Sequence, residues 1–202
     1  MAGLAAAYAA FGLTFRGPRE AFWRRMTLTG AGLGTLALVA EPALRRLRPT
    51  RSALAGGAAS AAVLYGVFRV GDVLARRIMP AGGEEISDIY RLRSLEPAVQ
   101  IAARLALVIG PAEELFWRGL VQGRLRRRYG DAAGTALASA AYGGAHLVTG
   151  NATLIGAATV AGSYWGLLST AGASMESLIT SHLLWDIVTF LVAPTTPVDP
   201  PP

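Results

Sequence analysis

Long apolar runs are the feature that most constrains how this chain can fold. They lie near residues 2–15, 26–44, 52–75, 97–117, 132–148, 152–170 and 174–193. Most of them approach the roughly 20 residues that an α-helix needs to cross a hydrocarbon layer of about 30 Å. They are rich in alanine, leucine and glycine and lack the alternation of a membrane barrel strand. The sequence therefore predicts an all-α polytopic transmembrane helical bundle with about six to seven spans.

The composition also indicates a membrane protein. Hydrophobic residues make up 52% of the chain, charged residues make up 16%, and the mean hydropathy is +0.40. Soluble domains typically carry about 25% charged residues. We therefore expect a multi-pass integral protein of the cell membrane, surrounded by the lipid bilayer, with a single transmembrane domain over residues 1–193. The proline-rich segment 194–202 is expected to be a disordered tail.

The basic residues are placed at the ends of the apolar runs. The net charge is +6, and all 19 basic residues are arginine. They concentrate over residues 45–51 and 118–128, where they can anchor helix ends in a headgroup layer. This placement argues for a lipid surface and against a nucleic-acid partner. The positive-inside bias further predicts a cytoplasmic loop over residues 118–128.

A few ionisable residues fall inside the apolar runs. Glu113 and Glu114 lie at the end of the fourth run, Arg118 follows directly after it, and the only two histidines, His146 and His182, lie in later runs. A charged side chain at the centre of a membrane helix costs at least about 2.5 to 3.5 kcal/mol, so such residues are usually paired and functional. These positions are therefore the candidate site of an intramembrane enzyme.

The spacing of these residues predicts which side chains act together. Residues four apart share one face of a helix. Three pairs have this spacing, namely Glu114 with Arg118, Tyr142 with His146, and His182 with Asp186. Glu113 is rotated by about 100° from Glu114, because a helix has 3.6 residues per turn. The sequence therefore predicts that Glu114 pairs with Arg118 while Glu113 stays free.

This arrangement suits the hydrolysis of a peptide bond. A desolvated carboxylate such as Glu113 can act as general base for a water molecule, and His146 can share that water or bind a metal. His182 and Asp186 can stabilise an oxyanion or complete a metal site. Glu113, His146 and His182 match the ligand types of a catalytic zinc, although the HExxH spacing of zinc peptidases is absent. Two alternatives therefore stay open: Glu113 and His146 activate the water directly, or they bind a divalent metal such as zinc. The lack of cysteine excludes thiolate ligands and a cysteine nucleophile.

The three motifs resemble those of the CPBP intramembrane proteases, also called the CAAX protease and bacteriocin-processing or Abi family. The EExxxR motif resembles Glu113, Glu114 and Arg118. The aromatic-xxx-His motif resembles Tyr142 and His146, with tyrosine where phenylalanine is usual, and HxxxN/D resembles His182 and Asp186, with aspartate where many members have asparagine. The motifs occur in this order within residues 97–190.

The resemblance implies a polytopic helical metalloprotease in which Glu113 and His146 activate water and the third motif supports the oxyanion. The expected partner is a membrane-associated peptide or protein substrate. Two other functions stay open, because intramembrane carboxylates and histidines also carry protons. One is a proton-coupled carrier, and the other is a non-catalytic member that gives immunity to a peptide toxin. Trp117, Tyr164, Trp165 and Trp185 are expected to be interface anchors without a role in the site.

Overall fold

The computed structural model describes residues 2–79 and 81–195, and within these ranges every regular element is helical. The helices are α1 (Ala2–Phe15), α2 (Phe22–Ala40), α3 (Arg51–Ile78), α4 (Gly82–Tyr90), α5 (Ala98–Tyr129), α6 (Asp131–Ala145), α7 (Ala152–Thr170) and α8 (Met175–Val192). Each predicted apolar run contains one helix, and α4 is an additional short helix. The all-α prediction is therefore confirmed for the described residues. Most of the predicted tail, residues 196–202, lies outside them.

Fewer of the described helices have the length and apolar composition of a membrane span than the sequence predicted. Only α3 and α8 of the described helices are individually long and apolar enough to cross a membrane. The segment 82–95 and α5 pass the same test only as a pair, which is bent by 102° like a broken span or a re-entrant loop. Helices α1 and α6 are too short, with 14 and 15 residues. The glycine, serine and threonine residues of α7 lower its mean hydropathy. Two or three spans are supported, and the count of six to seven is not confirmed.

Helix α5 carries the first motif and differs from the prediction at its end. The helix continues to Tyr129, so the predicted loop over residues 118–128 is wrong. It ends at Gly130, whose φ of 79° is a conformation that glycine adopts at little cost. Two stretches, Leu105–Ile109 and Leu115–Gln122, have π-helical hydrogen bonding. Such stretches are rare and are frequent at functional sites. They flank the two glutamates on both sides.

Glu41, which directly follows α2, binds two arginines near the end of α5. Its Oε1 accepts hydrogen bonds from Arg124 Nε and Arg127 Nη2, each at 2.9 Å. The hydrogen bond from Arg124, helped by the nearby charge of Arg127, lowers the pKa of Glu41. Glu41 therefore stays ionised at neutral pH and links the two helices on this arginine-rich face.

Small residues allow the helices to approach closely around the motif-bearing segments. A Cβ built on Gly34 would lie 2.9 Å from the Cβ of Ala112, next to Glu113. A Cβ built on Gly57 of α3 would lie 2.6 Å from the carbonyl oxygen of Ser177 in α8. Ser60 of α3 also shares a hydrogen bond of 2.9 Å with Ser181 of α8. These contacts place α3 directly behind the helix that carries the third motif.

Gly57→Ala is expected to lower the stability of the protein by about 1–3 kcal/mol, because the added methyl group would collide with the α8 backbone. Gly66→Ala on the same helix is the matched control, since a Cβ there meets no atom within 4 Å. Thermal unfolding of the two variants in detergent measures the difference. Equal melting temperatures would show that α3 and α8 do not approach as closely as described.

Candidate active site

An apolar cavity of about 480 Å³, which is partly open, lies between the helices. Its wall is mainly aromatic and aliphatic, with residues such as Phe15, Phe22, Trp23, Ile109 and Phe190. Four of the six candidate site residues also line it, namely Glu113, His146, His182 and Asp186. The structure therefore brings residues of all three motifs to one cavity.

Glu113 projects to the cavity and is held by a tyrosine. Its side chain is on the first full turn after Pro111 in α5, and the residue is only 5% exposed. The hydroxyl of Tyr142 in α6 donates a hydrogen bond of 2.7 Å to its Oε2 atom. Within the described residues, the Glu113 carboxylate makes this one hydrogen bond. Glu113 is thus separate from the arginine ion pair, as the helical rotation predicted, but it is anchored rather than free.

Glu114 turns away from the cavity into a buried ion-pair network. It is fully buried, and its Oε1 lies 3.2 Å from Arg118 Nη1 and 2.7 Å from His182 Nδ1. The contact with Arg118 is an ion pair without hydrogen-bond geometry, because Nη1 makes no hydrogen bond within the described structure. Arg118 Nη2 donates to the carbonyl of Gly162 at 3.3 Å. Glu114 and Arg118 therefore tie α5 to α7 and α8 from behind the cavity wall.

His182 is the most constrained residue of the site. Its Nδ1 lies 2.7 Å from Glu114 Oε1, so Nε2 is the ring nitrogen that does not contact Glu114. That Nε2 lies 3.6 Å from Asp186 Oδ2, which is too long for a hydrogen bond. The ring of Trp165 stacks on the imidazole with centroids 4.0 Å apart and planes inclined by 17°. Contacts on several sides therefore hold His182 in position.

His146 lies at the C-terminal end of α6, where the chain leaves the helix. Its Nδ1 is 3.0 Å from the carbonyl oxygen of Tyr142, so a protonated Nδ1 donates to that oxygen. The ring is packed against Phe11 and Phe15 of α1, with centroids 5.2 and 5.8 Å away. Hydrogen bonding through Nδ1 leaves Nε2 as the nitrogen that can accept or give a proton.

The residues do not form a ready metal site in this arrangement. No group of three or more His, Asp or Glu side chains with metal-ligand spacing occurs within residues 2–79 and 81–195. Of the predicted set of Glu113, His146 and His182, the histidine on α8 contacts Glu114 through Nδ1, which leaves Nε2 as the nitrogen that could bind a metal. Metal dependence therefore stays a prediction.

Sequence reasoning missed the packing partners of the motif residues. Trp117 and Trp165 are almost completely buried, so their prediction as interface anchors is wrong. Trp165 contacts His182, and its Nε1 donates to Ser181 at 3.0 Å. No short-range spacing indicates these contacts, because they join different helices. Trp165 lies three residues after Gly162, so both lie near the same face of α7, and this is the face that meets Arg118.

Comparison with known proteins agrees with the three motifs. No curated protein and no solved structure matches the chain. Residues 95–188 match the family model described as type II CAAX prenyl endopeptidase Rce1-like. This segment is just under half of the chain, and it contains all six candidate site residues. Residues 95–188 are therefore similar to the Rce1-like type II CAAX prenyl endopeptidases, and the predicted resemblance to the CPBP proteases is confirmed.

Proposed function

We propose that this protein is an intramembrane endopeptidase that hydrolyses a peptide bond of a membrane-associated peptide or protein. The observation that carries the proposal is the convergence of Glu113, His146, His182 and Asp186 on one apolar cavity, inside a domain of a protease family. An apolar cavity with a few convergent polar groups is the usual form of a binding or active site. The proposal includes a multi-pass position in the cell membrane and a single domain over residues 1–193.

In the proposed reaction, Glu113 is the general base. It removes a proton from a water molecule held between its carboxylate and His146, and the resulting hydroxide attacks the carbonyl carbon of the substrate. The carbonyl oxygen becomes an oxyanion, which His182 stabilises from its place between Glu114 and Asp186. Glu113 then gives the proton to the leaving nitrogen, so the C–N bond breaks and the carboxylate is regenerated.

The remaining motif residues are proposed to act through these groups. Glu114 and Arg118 lie behind the cavity and hold His182, rather than touching the substrate. A charged Asp186 would repel an oxyanion, and its Oδ2 lies 3.6 Å from Nε2 of His182. We therefore assign Asp186 to the support of His182 rather than to direct contact with the oxyanion.

Cleavage of a mixed membrane-peptide library by the purified protein in detergent tests the proposal. We expect defined cleavage products from the wild type and none from Glu113→Ala or His146→Ala. A parallel sample with a chelator reports on the metal, since loss of cleavage and its restoration by zinc would support the predicted ligand set. Absence of cleavage by a folded wild type, together with flux driven by a pH gradient in proteoliposomes, would instead identify a proton-coupled carrier.

A further inference from the structure

The hydroxyl of Tyr142 is a polar group that the proposed reaction does not yet use. It lies 2.7 Å from Glu113 Oε2, and the tyrosine is buried with only 6% of its surface exposed. The matching position of the family motif usually carries phenylalanine, which has no such group. A buried hydroxyl placed on the candidate general base therefore distinguishes this chain from the usual pattern.

We propose that Tyr142 is a positioning residue that holds the Glu113 carboxylate in the orientation needed to activate water. The expected changes in cleavage rate rest on the proposed function, whereas the hydrogen bond between Tyr142 and Glu113 does not. Tyr142 acts through Glu113 and need not touch the substrate. Its hydrogen bond occupies Oε2, so the other carboxylate oxygen is the one left to take the water proton.

The energetic reason is that a carboxylate on a flexible side chain must be held in one place to act as a base. Glutamate has three rotatable side-chain bonds, and ordering such a side chain costs as much as about 1.5 to 2 kcal/mol. Hydrogen bonds to ionised groups are shorter and about twice as strong as neutral ones, and 2.7 Å lies in the range expected for O–H to a carboxylate. A single short hydrogen bond can therefore offset most of the conformational entropy that the Glu113 side chain loses when it is held in place.

The ring of Tyr142 is itself fixed, so its hydroxyl is a rigid donor. A Cβ built on Gly162 would lie 2.7 Å from Tyr142 Cδ1, which shows how closely α7 covers the ring. The Arg118 guanidinium lies 4.7 Å from the ring centroid, within the range of a cation–π contact. Trp117 packs edge-on against the ring with centroids 5.3 Å apart. Phenylalanine at position 142 would keep these contacts and lose only the hydroxyl.

The kinetic test compares Tyr142→Phe with a matched control. We expect a fall in kcat of roughly 10- to 100-fold with KM unchanged, because displacement of a catalytic group by about 1 Å can cost 10²-fold. Tyr164→Phe is the control, since Tyr164 is half-buried, does not line the cavity and shares its hydroxyl with Ser60. An unchanged kcat in Tyr142→Phe, or an equal loss in Tyr164→Phe, would overturn the proposal.

A double-mutant comparison separates positioning from a general structural effect. In a Glu113→Gln protein no carboxylate base is left to be positioned, so adding Tyr142→Phe should leave the residual rate unchanged. A second fall of tenfold or more in that background would show that the hydroxyl acts on something other than Glu113. Such a result would overturn the assignment.

An infrared measurement decides the contact without any cleavage. The carboxyl stretching band that is lost in Glu113→Gln is expected to shift in Tyr142→Phe, because the carboxyl group loses its hydrogen bond, and to stay in place in Tyr164→Phe. If the wild type cleaves nothing but the band shifts, the proposed protease function fails while the Tyr142 contact holds. If the band does not shift, the positioning role is overturned even in an active protease.

Discussion

Peptide cleavage by the Glu113→Gln variant is expected to fall by about 10²- to 10⁴-fold, which is the range that a general base contributes. Glutamine has almost the same shape and still accepts the hydrogen bond from Tyr142, so the packing around position 113 is kept. Only the ability to take a proton from water is lost. The measurement is kcat/KM on a peptide that the wild type has been shown to cleave.

The control for this variant is Glu84→Gln, which removes an exposed carboxylate from α4. Both variants should melt at the temperature of the wild type, since neither substitution removes a buried contact. Cleavage by Glu113→Gln at the wild-type rate would exclude Glu113 as the base. Toxin protection that persists in this variant without any cleavage would identify the non-catalytic function instead.

Glu114→Ala is expected to have its main effect on stability, with a loss of about 3–5 kcal/mol. The carboxylate contacts both Arg118 and His182 in a fully buried position. Its removal would leave the guanidinium charge buried without its ionic partner, and this uncompensated charge is costly. Thermal unfolding in detergent should therefore separate Glu114→Ala from Glu113→Ala, which loses a single hydrogen bond from a neutral donor.

A double substitution checks the cause of this loss. Glu114→Leu combined with Arg118→Met removes both charges and replaces them by apolar side chains of similar size. Apolar replacements of buried ion pairs are often neutral or stabilising, so the double variant should recover most of the lost stability. If it melts as low as Glu114→Ala, the unpaired charge is not the cause, and the contact with His182 is the more important one.

The sequence predicted the local relations in the site better than the relations across helices. The spacing of Glu114 and Arg118, and the rotation of Glu113 away from them, follow from helical geometry alone, and the structure has both. The contacts of Tyr142 with Glu113 and of Trp165 with His182 join different helices. They depend on how α6 and α7 pack against α5 and α8, which no short-range pattern contains.

The π-helical stretches explain another part that sequence reasoning missed. A period of 3.6 residues assigns faces correctly only along a regular α-helix. Leu105–Ile109 and Leu115–Gln122 change this period on both sides of the glutamates, so a single helical wheel for α5 would misplace the buried face. The arginine-rich end of α5 was likewise assigned to a loop from its charge, although the helix continues until Gly130.

The close contact between α3 and α8 links the segment that carries the motifs to the N-terminal half of the chain. Residues 95–188 contain the motifs, but the helix bearing His182 leans on Gly57 and Ser60, which lie outside that segment. If this segment were excised, it would expose the α8 face that α3 now covers. The position of His182 therefore depends in part on a glycine and a serine that lie outside the segment with the motifs.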